Sequence, residues 1–446
     1  MPIRTLPRRK PMNLWKGRNA PWAPGADSSF GKPSSRNGTR VLRACFVYYA
    51  RFKGSAILYR EAKALIERGF EVDLICLRDE RKEKIFQTFE GLRVYGIQAR
   101  PTREKKSCSY FLSLAAFCIK CMVFLSGLAL VRRYAIVHVT TPPDLLVFSS
   151  LIPKLLGAKV VMDVHDIGPE LYMRKLQVSE NSWVVKGLRS MERMAAKFAD
   201  HVITVTDLWK ERIVKRSASP SKCSVLLNVP DDQIFTLRHS QDRTKRGTMN
   251  IYYHGSLEEH FGIDTLVEAM PKIKELVPLA RLHIYGSGRL QTDLEKRVHL
   301  HRMEEYVTFH GTVPFYHLPE ILKEADLGVV PTKGSVFSDE ALSMKSLEYI
   351  ALGIPIVISR TKAHTMYYDS SMVNFFNPGD EKELATCVAN LCNSKGERER
   401  FARNAYQFIR QHGWKESKQL YFRIIDRLIG MENPPQVRKE LRPAMR

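Results

Sequence analysis

The chain has no zinc-finger, RNP or KH signature, so nothing in it supports a nucleic-acid partner, and none is expected. Only eight of its 446 residues are cysteine, and they are scattered through apolar runs. That is how reduced cytosolic thiols look, not a disulfide framework. Cys118 and Cys121 form an isolated C-x-x-C around Lys120, with no second pair at zinc spacing, and read as core packing. Met1 to Lys10 has no apolar core, which predicts no secretory signal. Short-period repeats are missing, and so is a D-x-D at a strand end; no metal is expected.

What is abundant is positive charge. The formal net charge is +23, and it is unevenly placed. Residues 1–43 carry +9 and residues 44–248 carry +13, whereas residues 249–430 carry −1. A basic half suits nucleic acid, an anionic membrane surface or an acidic substrate. With nucleic acid unsupported, a membrane surface is the favoured partner, beside the reading that the chain is simply basic. The length exceeds one ordinary core and predicts two α/β domains.

Residues 1–40 are rich in Pro, Gly, Ser and Arg and read as a basic disordered arm. Order begins at Val41. A strand, a loop holding Gly54, a helix over 56–69 and a second strand from Phe70 make a βαβ unit, which predicts a parallel sheet. Tyr110–Val131 is the most apolar stretch and long enough to span a bilayer. Lys120 at its middle, its serines and the strands on either side argue for a helix partly in the core and partly at a membrane interface. The N-terminal domain is placed at 41–230 and a polar linker at 231–248. The C-terminal domain is placed at 249–410, a last helix at 411–430 and a tail at 431–446. The second domain repeats the rhythm, with helices over 263–276 and 315–324.

Parallel α/β sheets bind ligands beyond the carboxyl ends of their strands. In the second domain those positions hold Gly255-Ser256, Gly286-Ser287-Gly288-Arg289, Gly311 and Pro331 to Gly334. Glycines there let backbone approach a ligand, and helix N-termini behind them favour phosphate. The sharpest constellation runs from Glu340 through Lys345 and Glu348 to Gly353-Ile-Pro355. Ser343 reads as an N-cap, which puts Lys345 in the first helical turn. A cation is misplaced there for the helix dipole alone, but well placed beside a docked anion. Glu348, one turn on, accepts hydrogen bonds from sugar hydroxyls. On spacing alone both glutamates read equally as solvated helix-surface charges.

E-x7-E followed by Gly-x-Pro and a strand resembles the retaining glycosyltransferases of family 4, of the kind found in polysaccharide and glycolipid biosynthesis, over roughly residues 41–428. Matching pieces are Tyr253-His-Gly-Ser256, Ile284 to Gly288, Val307 to Val313, Ala325 to Pro331, Asp163 to Asp166 and Leu226-Leu-Asn228. The resemblance implies a GT-B fold of two Rossmann-like, doubly wound domains facing an interdomain cleft, with a last helix crossing back onto the first. It implies an enzyme that moves a hexose-type sugar, with retention, from a nucleotide-sugar donor to an acceptor, using no cofactor. The basic first half and the apolar 110–131 helix motivate a lipid-linked or saccharide acceptor near a membrane, and with the scattered cysteines they point to a cytoplasmic, peripheral location. By position, His165 faces the transferred sugar, Glu340 its hydroxyls, Glu348 the ribose and Lys345 the diphosphate. Gly54 and Asp166 lie on the acceptor side. Gly255, Ser256, Gly286, Gly288, Arg289 and Gly311 form the donor loops. Ser256 and Phe261 stand where many members carry a cation, which leaves Arg289 or Lys345 to compensate. An inactive scaffold of the same fold is the alternative, and a sugar-nucleotide epimerase a lower one.

Overall fold

The computed structural model describes residues 41–52, 56–78, 84–99, 107–237, 247–335 and 337–431. The expected arm 1–40, Gly54, residues 238–246 of the linker and 432–446 of the tail lie outside them.

Two sheets organise the described chain. The first contains β1 (Arg43–Arg51), β2 (Glu71–Arg78), β3 (Phe86–Phe89), β4 (Leu92–Ala99), β5 (Ile136–Thr141), β6 (Lys159–Val164), β7 (His201–Thr204) and β8 (Cys223–Val225). Its spatial order is β3-β4-β2-β1-β5-β6-β7-β8, and only the β3–β4 pair is antiparallel. The second holds β9 (Met249–His254), β10 (Ala280–Tyr285), β11 (Val307–Gly311), β12 (Leu327–Val330), β13 (Ile356–Ser359) and β14 (Asn374–Phe376). All its pairs are parallel, in the order β11-β10-β9-β12-β13-β14. In both sheets the order reverses beside the first strand, which opens a crevice at the strands' carboxyl ends. The fold is therefore two Rossmann-like α/β units, as the resemblance implied.

The first sheet carries α1 (Ala56–Glu67), α2 (Ser107–Arg132), α3 (Leu151–Leu155), α4 (Gly168–Leu176), α5 (Trp183–Phe198) and α6 (Asp207–Arg216). The second carries α7 (Ile263–Leu276), α8 (Gln291–Leu300), α9 (Leu318–Leu322), α10 (Met344–Ala351), α11 (Lys362–Tyr367), α12 (Glu381–Asn393) and α13 (Lys395–His412), and the last helix, α14 (Trp414–Ile429), returns to the first unit. Central strands such as β5 are buried along their whole length because helices cover both faces. Leu114, Phe117, Cys121, Leu125 and Ala129 recur at helical spacing on α2 and pack against Cys45, Val47, Ile75 and Val137 of the sheet. Both halves of the C-x-x-C are buried in that layer, which is its packing role.

Three elements differ from the sequence reading. The β3–β4 hairpin was not expected: β3 is mostly exposed, and its two-residue turn, Glu90-Gly91, takes positive φ at both positions. The helix expected over 315–324 is a 3₁₀ turn, Phe315–His317, followed by the short α9, because Pro319 fits only a first turn. The apolar run Ser224-Val-Leu-Leu-Asn228 reads as a strand from sequence, but the strand closes after Val225.

One apolar cluster is continuous across the two sheets. It runs from Phe46 and Leu58 through Leu226, Val229 and Phe235 to Tyr349, Trp414 and Tyr421. Helix α14 seats on α1, where Arg68 meets Asp426 at 2.5 Å and Lys418 meets Glu67. The Arg60 guanidinium lies 4.1 Å over the Trp414 ring.

Candidate active site

On the second sheet the site is made of backbone packed on backbone. Gly255 ends β9 with φ +116°, and a Cβ there would stand 2.4 Å from Cε of Lys345. Gly286 ends β10 with φ +151°, and its Cβ would stand 1.8 Å from the Gly255 carbonyl. At Gly286 another residue would force the loop backbone to move, and at Gly255 it would strain the backbone and displace the Lys345 side chain. Gly288 is pressed against the Leu257 backbone, while Gly311, at the end of β11, faces open space and accepts the Gly286 N–H at 2.8 Å. Ser256 is exposed, and its carbonyl accepts from the Tyr253 hydroxyl at 2.8 Å.

Into this frame α10 delivers two charges. Lys345 is buried in the first turn, its Nζ 3.8 Å over the Phe261 ring and within 5.5 Å of Tyr253. Burial lowers its pKa to about 8 although Glu348 opposes the shift, and burial raises Glu348 to about 7 although Lys345 opposes it. His254 lies 3.4 Å from Glu348, and burial, with Lys345 beside it, lowers it to about 3, so it stays neutral. Ser343 is the N-cap residue, but its side chain caps nothing; its carbonyl accepts from the Ser346 hydroxyl at 2.5 Å. Gly353 ends the helix with φ +69°. Met344 and Glu348 line a crevice with Ile57, Tyr59 and Asn228 of the first half. Arg289 is largely exposed and pairs with Glu258 at 2.9 Å.

On the first sheet the site is a buried charge cluster. His165, just beyond β6, meets the Asp163 carboxylate at 2.6 Å. Burial alone would lower the imidazole, but Asp163 outweighs it and holds His165 up to about 9. Asp163 itself is held well below the carboxylate range, since its two histidines outweigh burial. Behind it His138 reaches Asp163 at 3.2 Å and Glu61 at 3.6 Å, and its Nδ1 lies 3.0 Å from the Tyr421 hydroxyl of α14. Glu61, Asp163 and His138 offer atoms within 4.8 Å of one another and are the group among the described residues that could hold a metal ion. Arg60, 3.6 Å from Glu61, and protonated His165 face those two carboxylates, although burial and Asp163 still raise the Glu61 pKa. Asp166 is half-buried beside His165.

Glu340 is where the two halves are stitched. Arg212 of α6 grips both carboxylate oxygens, its Nε donating at 2.8 Å, and the Thr206 hydroxyl donates to the Glu340 carbonyl at 3.2 Å. The ladder continues: Arg212 reaches Glu170 at 3.4 Å, Arg216 meets Glu170 at 2.7 Å, and Arg216 meets Glu192 at 2.5 Å. The Tyr367 hydroxyl donates to Asp207 at 2.7 Å beside it. The structure thus brings together Gly255, Gly286, Lys345 and Glu348, and separately His165 with Asp166. Gly54 lies outside the described residues. His138, Glu61, Arg212 and Tyr421 were missed, and Asp163, although part of the matching strand end, was given no role. Only Asp163 had a signal, because residues two apart on a strand share a face with His165.

Residues 248–394 match the family model described as glycosyl transferases group 1, and residues 55–228 match a glycosyl transferase 4-like domain. A sulfoquinovosyl transferase of Arabidopsis thaliana is 23% identical over 360 residues, 79% of this chain and 66% of that protein. An uncharacterized glycosyltransferase of Methanocaldococcus jannaschii is 27% identical over 401 residues, 86% of this chain and 97% of that one. The structure of sucrose-phosphate synthase from Thermosynechococcus elongatus superposes with a TM-score of 0.69 at 16% identity, covering 88% of this chain and all of that one. Fold and both domain matches place the chain among the glycosyltransferases of the GT-B type.

Proposed function

We propose that the chain moves a hexose-type sugar from a nucleotide-sugar donor to a saccharide or lipid-linked acceptor, with retention of configuration and without a metal or other cofactor. The placement of Lys345 carries this reading. A buried cation over glycine backbone, in the first turn of a helix, is built for an anion. A departing nucleoside diphosphate is such an anion, and stabilising it is the main catalytic task. Glu348, one turn along, accepts from ribose hydroxyls. His165, kept protonated by Asp163, donates to a sugar oxygen rather than acting as a base. In a front-face transfer the acceptor hydroxyl attacks C1 from the side the phosphate leaves, and the phosphate takes its proton. The seven cysteines whose side chains are described are free and buried, which suits a reducing cytoplasm.

The test is the thermal midpoint with nucleoside diphosphates and their sugar conjugates, on the native chain and Glu348→Ala. One nucleotide should raise the midpoint of the native chain and lose its effect on the variant. No shift at millimolar ligand removes the donor site. The anomeric coupling of the product, read by NMR, tests retention. One observation favours the scaffold alternative: the Glu340 carboxylate is held by Arg212. Donor binding with neither transfer nor hydrolysis, restored to turnover by Arg212→Gln, would assign that pair as the cause.

A further inference from the structure

Helix α2 is apolar on two opposite faces, and only one is used by the fold. Its inner face is buried on the first sheet. On the outer face Leu112, Ile119, Val123 and Leu130 are between 64% and 72% exposed. At 100° per residue these four lie within about 40° of one line, and from Leu112 to Leu130 the line runs roughly 27 Å. The stripe therefore follows the helix nearly end to end. Lys120, the one charge between Tyr110 and Val131, is tied to Gln98 at 3.1 Å. Helix α3, packed along α2, adds Leu155 at 73% exposure. A continuous apolar surface of this kind marks an interaction site.

We infer that this face docks in the plane of a bilayer with anionic headgroups. Two observations choose that occupant. The half bearing the stripe, residues 44–248, carries +13 while residues 249–430 carry −1, so an anionic surface attracts the half that holds the stripe and a second basic copy repels it. Spanning is blocked by the inner face: Tyr110–Arg132 is long and apolar enough to cross, but inserting it would strip Phe117, Cys121 and Leu125 from the sheet and bare Val47 and Val139. The docked helix turns one end toward the site. The Tyr110 hydroxyl lies 3.4 Å from that of Tyr172 on α4, the helix that follows His165-Asp166. For a lipid-linked acceptor, which rests on the proposed transfer, that end is the delivery side.

The test is flotation of the full chain, without donor, on vesicles of phosphatidylcholine alone and mixed with phosphatidylglycerol. The native chain should float with the anionic vesicles and bind the neutral ones more weakly. Ile119→Glu with Val123→Glu should lower vesicle affinity roughly tenfold or more. Both side chains are exposed, so the thermal midpoint and transfer to a soluble acceptor should hold. Failure of flotation leaves the transfer reading untouched, since that is read by donor binding. Equal flotation of the variant, a lipid-free dimer that the variant splits, or retention in the membrane after alkaline carbonate would each overturn the docking.

Discussion

The two sheets meet the crevice with different materials. The second offers backbone, with Gly255 and Gly286 in close contact and a single Lys345–Glu348 pair whose pKa values are drawn together, to about 8 and about 7. The first offers a cluster of buried charges around His165, whose pKa is driven up to about 9. Burial acts on both; what differs is the compensation. Asp163 sits 2.6 Å from His165 and wins against burial, whereas Lys345 and Glu348 compensate each other only in part. A compensated cluster holds its own fold together, while an uncompensated pair gains from a ligand that brings the missing charge. The first region is thus set for rigidity and the second for binding.

The largest test of that contrast is Asp163→Ala. Two histidines and Arg60 would then face Glu61 alone, and breaking such a buried arrangement costs about 3–5 kcal/mol. Denaturant unfolding should show that loss, and NMR titration should find His165 fallen from about 9 into the ordinary imidazole range or below. Lys345→Met comes next and should cost much less. It leaves Glu348 without its cation, but burial has already raised Glu348 to about 7, so the carboxyl can take up a proton and the stability loss should stay well below that of Asp163→Ala. The kcat/KM of Lys345→Met should fall about 100-fold, near 3 kcal/mol of transition-state stabilisation. If instead the variant unfolds as easily as Asp163→Ala, the pair is structural and the contrast fails.

The pH windows separate the regions again. Glu348 is raised from 4.5 to about 7, so the folded chain binds its proton more tightly than the unfolded chain. Its contribution is whole below pH 4.5 and lost as pH rises to 7, a change of up to about 3 kcal/mol. His165, raised from 6.5 to about 9, loses its contribution between those two values. Lys345, lowered from 10.5 to about 8, makes stability rise with pH across that interval. Glu348→Gln should flatten the stability curve between pH 4.5 and 7 and leave the step near 9 in place. Flattening of both windows by that one change would show that the two regions titrate as one.

The same contrast explains what could be read from sequence. Lys345 and Glu348 belong to one helical turn, and the Gly255 and Gly286 loops each follow a recognisable strand, so local pattern reached them. Glu61, His138, Asp163 and Tyr421 come from α1, β5, β6 and α14, and only the strand order brings them together. Arg212 is one of several basic residues on α6, and nothing in its spacing singles it out. The βαβ rhythm was legible because central parallel strands such as β2, β5 and β12 are buried along nearly their whole length. The β3–β4 hairpin was not, because its outer strand is only four residues long and mostly exposed.

The smallest effect belongs to Tyr421→Phe. The hydroxyl at 3.0 Å is the partner of His138 Nδ1, and both side chains are buried. Removing it leaves one imidazole nitrogen unsatisfied, a cost of about 1 kcal/mol. The ring stays, so the packing of α14 on the sheet should be kept. His138 lies between Tyr421 and Asp163, and Asp163 lies between His138 and His165. If the first region is held chiefly by the Asp163–His165 pair, the variant should shift the His165 titration by less than about half a unit, well under 1 kcal/mol. A larger shift would mean that the seating of α14 sets the charge on His165. The rigid side of the crevice would then respond to a helix that follows the whole second domain in the chain.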